Sequence, residues 1–408
     1  MYQFKRIAFV ALLLSTFQIG KAQSSISKNG ESLPITTSVP FLRITPDARH
    51  GGMGDAGLAT SPDASAIFHN PAKLAFCDEP YGVSLSYVPW LRSLVNDIYL
   101  AHATGYGKFG KNMNQAFGGS VRYFSLGQID FTNVVGDPLG SFKPNEFAVD
   151  AAYSRILAKG FSTAIGMRFI YSNLAGGQTL NGVLIKPGIA ASADISFYYN
   201  KDISLGKMKS NLGLGLNLSN LGSKITYTDS RERDFIPMNM GIGARYSIDI
   251  DQYNQFAFCV DFNKLLVPTP NLDTSSSKYD TDNNGIPDYR EKSVPSAIFS
   301  SFGDAPGGFK EELQEITVGA GIEYWYDKLF AVRAGYFYEN PNKGRRQFLS
   351  LGVGLRYSVF GIDFAYLVPT TSQRNPLDNT LRFTLLFNFS KAKEKQEAVP
   401  TNEPPMGN

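Results

Sequence analysis

Near the C-terminus, Leu381, Phe383, Leu385, Phe387 and Phe389 fill every second position, and Arg382, Thr384, Asn388 and Ser390 lie mostly between them. A period of two sends alternate side chains to opposite faces of a strand. The same alternation returns along the chain in segments of about ten residues separated by turn signals, the pattern of a transmembrane β-barrel. About fourteen such segments can be counted, an even number as bacterial outer-membrane barrels require.

Rows predicted to face lipid include Val83, Leu85 and Tyr87; Phe117, Val121 and Tyr123; Ile165, Met167 and Phe169; Met238, Met240, Ile242 and Tyr246; and Leu349, Leu351, Val353 and Leu355. A register fixed by these rows sends the intervening side chains inward. Arg122, Asp150, Arg168, Asp194, Arg245, Asp261, Glu323, Arg333, Arg356, Asp363 and Arg382 then line the lumen. They read either as paired charges filling a polar interior or as a selectivity filter or catalytic carboxylate pair; unpaired charges buried there would be costly. The connections alternate as a barrel requires. Long ones at Val88 to Asn96, Ser125 to Pro144, Asn173 to Lys186, Ser219 to Phe235, Asn263 to Leu313, Glu339 to Arg345 and Leu367 to Thr380 are read as extracellular. Short ones between them are read as periplasmic, with Asn200 to Ser210 the exception in length, and both chain ends are placed on the periplasmic side.

Composition agrees with this picture. Mean hydropathy is −0.15, and no run of about twenty apolar residues follows the N-terminus to cross a bilayer as a helix. The 21 Tyr and 30 Phe suit the two membrane interfaces and the lipid face. A net charge of +3 without a basic block gives no footprint for nucleic acid. Lys5 and Arg6, the apolar stretch Ile7 to Phe17, and Gly20 and Ala22 before Gln23 read as a secretory signal over residues 1–22. The expected organisation is a plug segment over 23–79, an outer-membrane barrel over 80–390, and a polar periplasmic tail over 391–408 that is either a plain terminus or a docking segment.

The plug segment carries Pro46-Asp47-Ala48-Arg49, then Gly51-Gly52-Met53-Gly54-Asp55-Ala56-Gly57, then Asp63-Ala64-Ser65-Ala66, then His69-Asn70-Pro71-Ala72. Four glycines in seven residues favour tight turns or close backbone approach over helix or strand. These motifs, followed by about fourteen strands, resemble the FadL superfamily of outer-membrane proteins. Within it the chain is most similar to the PorV-type proteins of the type IX secretion system. The lead to Phe41-Leu42-Arg43-Ile44, the Gly52-Met53-Gly54-Asp55 form of the plug motif with Asn70 and Pro71 after it, and the acidic loop near Asp280 carry that likeness. The resemblance implies an all-β, FadL-like antiparallel barrel with a plug, and a non-enzymatic role. Proteins of this type capture secreted cargo by its C-terminal signal domain at the outer-membrane translocon and deliver it to a cell-surface attachment complex. Other FadL-like proteins instead pass fatty acids or other hydrophobic solutes through the barrel wall, and fold alone does not separate the two.

Loop content favours the first. Trp90, Leu91 and Leu94, then Phe131 and Phe142, then Phe299, Phe302 and Phe309 are apolar residues in loops that water would otherwise meet. They read as partner anchors or as packing of loop on loop. In the longest loop, Asp280, Asp282, Asn284, Ile286, Asp288 and Glu291 match calcium-loop spacing, with Gly285 for the sharp turn. Calcium and a solvated acidic loop both fit. His50, His69 and His102 form no catalytic pattern by spacing, and His69 is placed in plug structure. Cys77 and Cys259 could tie plug to wall through a disulfide, depending on their separation.

Overall fold

The computed structural model describes residues 34–90, 97–132, 135–180, 182–205, 208–229, 232–271, 279–370 and 380–390. In chain order the strands are β1 (Tyr81–Pro89), β2 (Ile98–Phe109), β3 (Gln115–Leu126), β4 (Ile129–Thr132), β5 (Pro138–Phe142), β6 (Asn145–Ala158), β7 (Phe161–Asn173), β8 (Thr179–Leu180) and β9 (Val183–Leu184). They continue with β10 (Gly188–Leu205), β11 (Met208–Gly222), β12 (Asn239–Asp249), β13 (Asn254–Leu265), β14 (Thr317–Tyr326), β15 (Phe330–Tyr338), β16 (Gln347–Tyr357), β17 (Phe360–Pro369) and β18 (Leu381–Phe389). β4 pairs with β5, and β8 with β9, as two small hairpins in the long loops. The other fourteen strands close into one antiparallel barrel in which β18 returns to β1, Phe387 opposite Val83 and Leu385 opposite Leu85. Closure leaves no unpaired edge within the bilayer, which is what a strand structure needs in lipid.

The alternation is realised on the outer wall. Val83, Leu85, Phe117, Val121, Ile165, Met167, Ile242, Leu351 and Val353 are exposed, as lipid-facing residues are in a chain without its bilayer. Aromatic rings gather toward both ends of the wall. Tyr87, Tyr99 and Tyr123 neighbour one another at the long-loop end, with centroids 5.5 and 6.1 Å apart. Phe109 stacks on Phe117 at 5.2 Å at the short-turn end. Rings at these levels suit the two water–lipid interfaces.

Three expectations change. Met238 precedes β12 and is buried in an apolar cluster with Phe41, Leu42, Phe235, Leu265 and Leu266, so it faces the interior. The Asn200–Ser210 connection is strand on both sides: pairing of β10 with β11 runs on to Leu205 opposite Met208. The described start of the chain lies at the long-loop end, because Ser38 N donates to Phe235 O and Ile35 packs on the cluster that holds Leu265, Leu266 and Val267. Residues 34–80 then descend the lumen to β1 at the opposite rim. The proposed signal segment and the polar tail lie outside the described residues.

Candidate functional site

The plug meets the wall backbone to backbone. Gly54 has φ +66°, and a Cβ there would lie 2.5 Å from Tyr336 O and 2.7 Å from Ala320 O. On the wall, Gly319 and Gly335 face Gly54, Gly321 faces Met53, and Gly352 faces Gly52. Glycine on both surfaces lets the two main chains touch, and a left-handed φ costs glycine nothing. Gly54 N then donates to Ser350 Oγ at 2.9 Å. Further bonds fix the plug around the circumference: Ala48 N to Thr384 Oγ1, the amides of Gly57 and Leu58 to Asp261 Oδ2, Asn70 Nδ2 to Phe197 O, Ser154 Oγ and Ser162 Oγ to Ala72 O, and Arg122 Nη1 to Leu42 O.

Inward charges form ion pairs, as the polar-interior reading expects. Arg49 of the plug reaches Glu323 at 2.8 Å and Asp63 at 2.7 Å. Glu323 also takes Arg333 at 2.8 Å, Arg333 takes Asp363 at 2.8 Å, and Arg356 joins the same carboxylate at 2.6 Å. Arg382 pairs with Asp55 at 2.5 Å, and Arg168 with Asp150 and Asp194. Arg245 differs: among the described residues it donates from Nη1 to Asn211 Oδ1 at 3.0 Å, and no salt bridge reaches it.

Two of the three histidines, His50 and His69, do converge, which their spacing in sequence hides. Asp47 Oδ2 meets His50 Nδ1 at 2.6 Å, and Asp47 Oδ1 meets His69 Nε2 at 2.8 Å, with all three side chains buried. His50 Nε2 lies 2.8 Å from Thr60 Oγ1, which also accepts from Lys73 Nζ at 2.9 Å. Burial, with His50 alongside, pushes the His69 imidazole down to about 3, so it is neutral at pH 7. The three could together hold a metal by distance, but Asp47 has both oxygens and His50 both nitrogens hydrogen-bonded within the plug. Their chemistry is structural. Cys77 and Cys259 are both free and buried, so the plug-to-wall disulfide is not formed; Cys77 packs with Ile67 and Leu74, and Cys259 with Met53 and Ala56.

Between plug and loops remains a cavity of about 120 Å³, lined by Arg43, Asp55, Arg168, Asn217, Asn263 and Arg346 among others. Its lining is mainly charged and amide, and its volume falls below the roughly 300–1,000 Å³ of ligand pockets.

The long loop between β13 and β14 is built, not slack. Lys264 bridges Glu312 at 2.8 Å and Glu315 at 2.7 Å, while Lys343 bridges Glu311 and Glu315. The helix Phe309–Gln314 stands on this base, while the helix Val294–Ser300 buries Ala297 in the apolar cluster of the long-loop end; they hold out Phe309, 77% exposed, and Phe299, 80% exposed, with Phe302 and Leu313 about half exposed. The other expected anchors behave differently. Trp90 packs inward on Phe124 at 5.0 Å, Phe142 covers Gly176, and Phe131 is half-buried in β4. Leu91 and Leu94 lie outside the described residues. Leu313 is an exposed residue of this loop that the sequence pattern did not single out, since it looked like a loop boundary, and Val135 at 80% exposure is another in the second long loop.

In the same loop, carboxylate oxygens of Asp280, Asp282 and Asp288 lie within 4.8 Å of one another. Asp280 accepts from Asn284 N at 3.1 Å and Gly285 N at 2.8 Å, Gly285 has φ +84°, and Asn284 Nδ2 reaches Glu291 Oε1 at 2.9 Å. Ile286 N donates to Asn284 Oδ1 at 2.7 Å. Pro287 sits just before a single helical turn, Asp288–Glu291, where it breaks nothing. Arg290 ties this loop to Asp234 at 2.6 Å and Glu232 at 3.1 Å.

The family model described as type IX secretion system protein PorV matches residues 27–272, more than half of the 408. The chain belongs to the PorV family. The matched stretch takes in the plug and the barrel strands through β13, and stops before the acidic loop and the aromatic helices. What those two features do in this PorV-family protein therefore rests on their own geometry. Solved structures with a similar fold include the toluene transporter TodX of P. putida, with 10% identity, 86% of this chain and 99% of that one covered, and a TM-score of 0.46. The Ralstonia pickettii toluene transporter TbuX follows at 11% identity, 85% and 98% coverage and a TM-score of 0.44. A Pseudomonas aeruginosa FadL homologue gives 12% identity, 88% and 100% coverage and 0.40. No curated protein matches the chain.

Proposed function

We propose that this PorV-family protein is a non-enzymatic outer-membrane shuttle of type IX secretion. Its extracellular loops bind the C-terminal signal domain of secreted cargo at the translocon and carry it to the cell-surface attachment complex. The observation behind this reading is the contrast between interior and exterior. The plug is bonded to strands around the barrel, and the cavity beside it is small and polar. The exposed aromatics stand instead on and between two anchored helices, Phe309–Gln314 braced by buried lysine–glutamate pairs and Val294–Ser300 packed through Ala297 on the apolar cluster. Rigid, exposed aromatic anchors favour protein recognition.

The test is binding of a purified cargo signal domain to the full chain in lipid nanodiscs. Replacing Phe299, Phe302 and Phe309 together by Ser should weaken it at least tenfold, as loss of an interface centre does, while the heat-induced gel shift of the barrel stays unchanged. Unaltered binding in the triple variant, or saturable uptake of palmitate by the wild type with no affinity for signal domains, would point instead to a channel for hydrophobic solutes.

We also read Asp280, Asp282, Asn284, the Ile286 carbonyl, Asp288 and Glu291 as a calcium loop, its backbone turned as such a loop requires. Calorimetric titration with calcium should give a saturable heat at micromolar to millimolar concentration, absent after Asp282→Ala with Asp288→Ala. A heat that survives both substitutions rejects the assignment.

A further inference from the structure

The end of the β10–β11 hairpin reaches past both of its neighbours. β10 pairs with β7 only as far as Tyr199 opposite Phe161, and one more bond, Asn200 N to Gly160 O, completes that seam. Its pairing with β11 nevertheless continues through Lys201, Asp202, Ile203 and Ser204 to Leu205. On the other side β12 follows β11 down to Ser210 opposite Ile248, so the overhang there is Met208 and Lys209 alone. The neighbouring described connections at this end, Asp251–Tyr253 and Asp327–Leu329, are tight turns at the rim. Five residues of β10 thus run beneath the β6–β7 turn with β11 on one side and, among the described residues, no strand on the other, about 17 Å of open edge at 3.3 Å per residue.

We propose that this edge takes an extended, acidic segment of a periplasmic protein as an added strand, in the place β7 would fill if it were longer. Resting on the outer-membrane reading above, the hairpin end faces the periplasm. An open edge offers a row of backbone donors and acceptors, and strand addition uses it directly. Lys201 and Lys209 are exposed here against the single carboxylate of Asp202, which accepts from Asn211 Nδ2 at 2.9 Å, so the net charge of the three is positive. Lys201 on the edge strand itself, with Lys209 on the strand behind it, disfavours a second copy that carries the same net positive charge and favours an acidic strand. Ile203 and Met208 share the face that continues the outer wall and supply the apolar contact beside them.

The experiment uses the full chain in lipid nanodiscs and two synthetic peptides of roughly ten residues, long enough to span the edge, one alternating Glu and Val and the other alternating Lys and Val. The acidic peptide should bind at least tenfold more tightly and slow amide exchange in Lys201 to Ser204. Lys201→Glu with Lys209→Glu should invert the preference, with the barrel's heat-induced gel shift unchanged because both residues lie beyond the wall. Equal affinity for the two peptides, or exchange in β10 that does not slow, overturns the proposal. So does slowing without peptide as protein concentration rises, which would assign the edge to a second copy.

Discussion

Gly54→Val should loosen the plug without unfolding the barrel. The residue sits at φ +66°, where a β-branched side chain is strained, and its new Cβ would press on the carbonyls of Tyr336 and Ala320. These are backbone atoms of paired strands and cannot swing aside. Left-handed strain costs about 1–3 kcal/mol and overpacking about 1–3 kcal/mol more, so local opening should become at least about twentyfold easier. Cys259 reports it, because the thiol lies under Met53 and Ala56. In a Cys77→Ala background, alkylation of Cys259 by a maleimide should accelerate by at least that factor. Gly303→Val, at a loop glycine with open space around it, should leave the rate alone. Equal rates in the two variants would mean that the glycine seam does not hold the plug.

Glu323→Gln should be the most damaging change to the wall's charge network. Glu323 is the one carboxylate shared by Arg49 of the plug and Arg333 of β14's neighbour β15, and all three side chains are buried. Neutralising it leaves two guanidinium groups with one acid each, Asp63 and Asp363. Breaking a buried ion pair by removing one partner costs about 3–5 kcal/mol. With Asp63 and Asp363 still in place, about 3 kcal/mol is expected. The urea midpoint in detergent micelles should fall accordingly, and adding Arg49→Met should restore part of the loss, since one stranded charge is then gone. A double variant weaker than the sum of its singles would contradict a shared network.

How much was legible follows from the range of each interaction. Period-two alternation is a property of neighbouring residues, so Leu349, Leu351 and Val353, or Phe383 and Leu385, announced their lipid face without any partner in view. Inward charges followed from the same register, and Asp150, Arg168, Glu323 and Arg333 all lie inside. Met238 was misplaced because the alternation continues one residue beyond the strand, where tertiary packing on Phe41 and Leu266 takes over. The loop aromatics were ambiguous for a like reason. Trp90 and Phe299 look equivalent in sequence, yet Trp90 lies beside Phe124 while Phe299 stands exposed on the outer face of a helix whose Ala297 is buried.

The chain alone determined the barrel, the two faces of its wall, the rhythm of long and short connections, and the demand for close backbone contact in the Gly51–Gly57 run. Each is written in local periodicity or in the conformational freedom of glycine. Only the tertiary structure decided which wall glycines receive Gly54, that Asp47 gathers His50 and His69, that the plug's leading residues lie at the long-loop end, and that β10 overruns β7. Those facts depend on residues far apart in sequence meeting across the lumen, as Arg49 meets Glu323, or on where one strand stops beside another. No local pattern encodes either.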